Sequence, residues 1–191
     1  MRSNPITSWN RAESVPKIAD GAYVDEAATV IGDVRIGKNV YVAPATSLRA
    51  DEATPIIIGD ECNIQDGVIF HGLEGSSIEL GCRVSIAHGA VIHGPIKIED
   101  DSFVGFNSVV HASNLKAKCF VGHMALVAGV DLKRGSFVPP GFVVDTQEKA
   151  DALGPVPEDL RAFNEDVVKV NLEFARGYLL KTDFRQEKSG V

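Results

Sequence analysis

Three histidines open the reading: His71 in "VIFHGLE", and His88 and His93 in "SIAHGAVIHGP". Neutral imidazoles are ligands for zinc, iron and cobalt, and three of them leave a fourth position for water, as in a catalytic site and unlike a closed structural one. Their separations of 17 and 5 residues fit neither a zinc finger nor two histidines one helical turn apart. Any common site must therefore be built by the fold.

The elements that position them follow from a six-residue beat. Aliphatic or aromatic residues recur at Ile18, Val24, Val30, Ile36, Val42 and Leu48, then Ile58, Ile64 and Phe70, then Leu80, Ile86, Ile92, Ile98, Val104 and Val110. With single-residue slips the beat continues through Leu115, Val121, Val127, Leu132, Val138 and Val144. Six is a multiple of the strand period of two, so every guide residue can face inward, whereas a helix of 3.6 residues per turn would drift. Three short strands per coil predict a triangular parallel β-helix with coils about 4.8 Å apart. The expected fold is an all-β solenoid of hexapeptide repeats over residues 1–150, including an N-terminal extension. Residues 151–191 are expected to form a linker and an amphipathic helix of about five to six turns packing on the β-helix, with Leu160, Phe163, Val167, Val170, Phe174 and Tyr178 as its stripe.

The coil resolves the odd spacing. Four residues loop out between Leu48 and Ile58, and four more between Phe70 and Leu80; with these removed, Arg49, His71 and His93 fall in one column on successive coils. The backbones of His71 and His93 should then lie about 5 Å apart, close enough to share a metal. His88 falls one triangle side earlier, in the column of Asp66, too remote to join them within one subunit. A neighbouring subunit can supply it: a His71/His93 edge facing the next chain's His88 edge is a heterologous contact, which closes as a ring and predicts a homotrimer with shared metals. An ion pair from Arg49 to Asp66 would cross the same interface. His111 follows His93 by one coil and His123 follows His88 by two, as contact filler, a second weak site or a proton relay.

Composition narrows the partners. The chain has 45% hydrophobic and 24% charged residues and a formal net charge of -7, which argues against nucleic acid or an anionic membrane surface. An apolar leader and an apolar span are both missing, and Cys62, Cys82 and Cys119 lack C-x-x-C spacing, so a reducing cytoplasmic setting with free thiols is expected.

With these residues in hand, the chain resembles the gamma-class carbonic anhydrases, hexapeptide-repeat trimers, over nearly its whole length. The resemblance rests on "ITSWN", "LRADEATPI", "NIQDGVIFHGLE", "SIAHGAVIHGP" and "KVNLEFARGY". It implies a left-handed β-helix, Zn2+ (or Fe2+ or Co2+) held by His71 and His93 of one subunit and His88 of the next, and reversible hydration of CO2 to bicarbonate. It further implies that Gln65 and Asn171 position water or bicarbonate, that Glu52 and Glu74 move protons, and that Arg49 and Asp66 support assembly. Two departures stand out: only "EGSSIE" separates Glu74 from the next repeat where the archaeal type carries a long acidic insertion, and Lys169 stands where that type has tyrosine. Other readings are a trimeric metal-binding assembly or scaffold protein with little hydration activity, and a hexapeptide-repeat acyltransferase.

Overall fold

The computed structural model describes residues 1–52 and 54–189. Among the described residues, twenty-one short strands form three seven-stranded parallel sheets, the faces of a left-handed β-helix. Each coil visits the sheets in turn. The first sheet runs from Lys17–Ile18 to Asp131–Leu132, the second from Tyr23–Val24 to Phe137–Val138, and the third from Thr29–Gly32 to Val143–Val144.

The six-residue beat is the core. From Val30 to Val144 every guide residue is 0–4% exposed, and these side chains stack coil on coil into one continuous apolar column. Burying each aliphatic side chain contributes roughly 1.5–3 kcal/mol before chain entropy is counted, so the column is the main source of stability. Strands of two to four residues suffice because each backbone bonds to the coils above and below, as where Gln65 N–H donates to Ile86 O at 2.9 Å and Ala87 N–H to Val104 O at 2.9 Å. The ends are covered. At one end Arg2 N–H donates to Val30 O (3.0 Å) and Gly32 N–H to Arg2 O (3.2 Å). At the other, a short helix α1 (Gln147–Asp151), capped by the Thr146 side chain, places Ala150 against the last coil.

The outer positions of the second sheet read, coil by coil, Tyr23, Tyr41, Asn63, Ser85, Phe103, Phe120 and Phe137. Aromatic rings thus flank a polar middle, and the long helix α2 (Glu158–Ser189) lies across them. It has 32 residues, about nine turns, longer than the five to six expected. The expected stripe packs in part: Leu160 and Val167 lie partly buried against Ala87, Phe103, Phe120 and Val156, the most buried positions are Asn164, Val168, Asn171 and Ala175, and Phe163, Val170, Phe174 and Tyr178 remain 39–50% exposed on the flank. Small Ala175 lets the helix approach Tyr41 and Ala43, and the large rings pack sideways, Tyr178 stacking on Tyr23 at 4.8 Å. Residues 190 and 191 of the expected C-terminal segment lie outside the described residues.

Candidate metal centre

The parallel register places Arg49 opposite His71, His71 opposite His93 and His93 opposite His111. The column exists because the extra residues fall between strands, after Ser47–Ala50 and before Ile56–Ile58, and again in the loop 72–77 after Ile69–His71. Buried Thr54 ties the loops together, its hydroxyl donating to Leu73 O at 2.6 Å, and within the second loop the Ser76 hydroxyl also donates to Leu73 O at 2.6 Å. Ring centroids are 5.6 Å apart for His71 and His93 and 5.3 Å for His93 and His111.

Two carboxylates join the column. His71 Nε2 lies 3.3 Å from Asp51 Oδ1 and 3.5 Å from Glu52 Oε1. The first contact is within ion-pair reach but misaligned for a hydrogen bond, so both His71 Nε2 and Asp51 Oδ1 are buried without a hydrogen-bond partner. A buried imidazole nitrogen left in that state is costly unless something else accepts its lone pair or proton. Asp51 Oδ2 takes the Arg49 Nε–H at 3.0 Å. His93 Nδ1 lies 3.2 Å from Gly94 O; a carbonyl only accepts, so Nδ1 carries the proton and Nε2 keeps its lone pair free.

His88 stands at the opposite edge of the third sheet, in the corner that follows the strand Ser85–Ile86. Its Nδ1 donates to Asp66 Oδ2 at 2.9 Å, which again leaves Nε2 free. Gly89 follows with φ 69°, and a Cβ there would collide with the Asn107 side chain from the next coil. Beside His88 a groove of ≈ 370 Å³ between α2 and the second sheet is lined by Gln65, Asp66, Phe106, Phe163, Asn171 and Phe174 among others. Gln65 Nε2 donates to Asn63 Oδ1 (2.9 Å) and Asn63 Nδ2 to Ser85 Oγ (2.8 Å), all three residues being buried, so the Gln65 amide is fixed with its oxygen as the remaining acceptor. Asn171 Nδ2 donates to Val167 O at 2.8 Å.

The site residues therefore fall into two groups. Arg49, Glu52, His71 and His93 share one edge; Gln65, Asp66, His88 and Asn171 share the other. Glu74 is exposed on loop 72–77. Among the described residues of a single chain, no group of three or more His, Cys, Asp and Glu side chains could hold a metal ion. The roles of Asp51 against His71, and of Asn63 under Gln65, escaped the sequence reading; the in-column placement of Asn63 with Ser85, 22 residues on, was the available signal.

A family model described as "Hexapeptide repeat of succinyl-transferase" matches residues 95–113. The chain is 40% identical over 199 residues to a protein named carbonic anhydrase from Methanosarcina thermophila, covering 93% of this chain and 81% of that one. It is also 40% identical over 189 residues to the carboxysome assembly protein CcmM of Nostoc, covering 94% of this chain and 34% of that longer protein. Among solved structures, a hexapeptide transferase family protein from Anaplasma phagocytophilum superposes with a TM-score of 0.64 at 26% identity, covering 85% of this chain and 92% of that one. Among the described residues no helix is long and apolar enough to cross a membrane. Coil register, histidine column and sequence identity converge: the chain belongs to the gamma-class carbonic anhydrase family of hexapeptide-repeat proteins.

Proposed function

We propose that three copies of this chain form a ring in which His71 and His93 of one subunit and His88 of the next hold a divalent metal, and that the assembled site interconverts CO2 and bicarbonate. Zinc is the first choice, with Fe2+ or Co2+ also suited to three imidazoles. The observation that carries the reading is the division of donors: a buried, unpartnered His71 nitrogen beside His93 on one edge, and His88 with its Nδ1 tied to Asp66 on the other. Between the two edges the outer face of the third sheet presents an apolar row, Ile69, Val91, Val109, Leu126 and Val143, with Ile69 43% and Val143 42% exposed. A second copy laid on this row would bury it and bring opposite edges together, with Arg49 of one subunit reaching Asp66 of the next.

A metal so held supplies Lewis acidity that brings a water's ionisation near neutral pH. The chain's own residues do the rest. Gln65, with its nitrogen committed to Asn63, offers its oxygen to orient a hydroxyl, and Asn171 across the groove offers its second amide N–H to a bicarbonate oxygen. Each turnover in the hydration direction releases one proton. Glu52, 3.5 Å from His71 and partly exposed, is the first choice to carry it to buffer, and exposed Glu74 on the neighbouring loop the second.

Stopped-flow CO2 hydration on metal-quantified trimers, aerobic with zinc and anaerobic with iron, tests the reading. A rate no greater than buffer with both fully loaded metals would overturn the enzymatic role. That outcome would favour a second reading, an assembly module, which the 40% identity to the carboxysome assembly protein supports.

A further inference from the structure

His88 is poorly held for a ligand. Its side chain is 55% exposed and its partner Asp66 57% exposed, so their hydrogen bond competes with water and contributes little rigidity by itself. A second support comes from the coils below. Phe106 and His123 continue the column of Asp66 and His88, and Phe106 packs on the His88 ring with centroids 5.2 Å apart. His123 in turn stacks on Phe106 at 4.2 Å with an interplanar angle of 11°. It also accepts the Phe106 backbone N–H on Nδ1 at 3.0 Å.

Backbone N–H groups only donate, so His123 Nδ1 is the bare nitrogen and its proton sits on Nε2. One side chain thus grips both the ring and the main chain of the residue that backs His88. The chain leaves room for it at Gly105: a Cβ there would lie 2.8 Å from His123 Nδ1 and 2.7 Å from its backbone nitrogen. The Phe106 ring, 37% exposed, lies between the two imidazoles.

We propose that His123 is a positioning residue for the metal ligand His88, acting through Phe106, which it clamps by stacking and by accepting its backbone N–H. The inference rests on the assignment of His88 as a ligand under the proposed function. It makes His123 part of the outer support of the site, 35 residues from the ligand it serves, although the residue touches neither metal nor substrate. Outer supports of metal ligands typically carry 10–100-fold in metal affinity.

The test is zinc affinity of the trimer, by competition with a chromophoric chelator, together with ring-to-ring NOEs between Phe106 and His88 in the metal-free trimer. His123→Leu, which removes both grips, should weaken zinc at least tenfold and lose those NOEs. His123→Asn, whose Oδ1 stands near the place of Nδ1, should recover part of the affinity by keeping the acceptor. Phe106→Ala should reproduce the loss, and serves in place of His123→Leu if that variant does not assemble. Zinc affinity of His123→Leu or Phe106→Ala within twofold of wild type, with His88→Ala devoid of zinc, overturns the role of His123 alone. Retention of zinc by His88→Ala overturns the metal assignment itself.

Discussion

At one edge of the third sheet, His71 and His93 meet because consecutive coils put them there. Their separation is the coil spacing, and the looped segment after Ser47–Ala50 adds the Asp51 and Glu52 carboxylates without disturbing the register. At the other edge His88 stands alone on a corner, half exposed, and its orientation depends on side chains from three coils and on the roof formed by α2. The first edge is set by backbone register and is as stable as the apolar column behind it. The second is set by side-chain contacts and is the place where the orientation of His88 can be lost without unfolding.

The largest expected effect breaks the comparison outright. His88→Ala and the double variant His71→Ala/His93→Ala should each bind no metal as homogeneous trimers. Unfolded together in equal amounts and reassembled, they should recover about one quarter of wild-type metal, because in a closed ring each junction takes its two edges from different subunits. Metal analysis of the mixed trimers checks this; no recovery would mean that both edges of a site come from one chain.

Phe70→Ala probes the register edge. Phe70 is fully buried between Leu48 and Ile92, immediately before His71. The truncation should cost about 3–5 kcal/mol of stability in denaturant titrations. Its metal affinity should fall as well, since His71 loses the anchor beneath its backbone.

These elements also show how much was legible beforehand. The guide residues specify the solenoid because a solenoid core uses one apolar residue per side, and the same beat gives the register from which the column of Arg49, His71, His93 and His111 follows. The helix was less legible. Its buried line contains Asn164 and Asn171, while Phe163, Phe174 and Tyr178 touch the sheet's rings from the flank, so a search for an apolar stripe finds the edge of the contact and Leu160 and Val167 within it, and misses the asparagines at its centre. The Phe106 and His123 clamp was visible only as a column position, since stacking and a backbone-to-ring hydrogen bond leave no periodic signal.

A smaller effect sharpens the catalytic half of the comparison. Glu52→Gln keeps the side-chain size beside His71 but removes the proton acceptor. Turnover should fall about 100-fold with metal content unchanged, and added imidazole buffer should restore much of it. Unchanged turnover at low buffer would move the relay elsewhere, with Glu74 next in line.

The third corner, where the first sheet meets the second, carries neither half-site and supplies the control. Burial pushes the Cys62 thiol up from 9.0 to about 12, against the opposing Val84 N–H that donates to Sγ at 3.3 Å. A thiol with a raised folded-state pKa favours folding fully below its unfolded value, and that contribution is lost as pH climbs from about 9 to about 12, because the unfolded thiol ionises first. Cys62→Ser preserves an acceptor for Val84 N–H and a donor for Gly81 O, which Sγ approaches at 3.0 Å, but does not titrate in this range. Urea midpoints of the variant should therefore decline less steeply than wild type above pH 9, and its zinc affinity at neutral pH should stay within twofold. A parallel loss of zinc would mean that the corners are mechanically coupled, and that the two edges of the third sheet are not set independently of the rest of the coil.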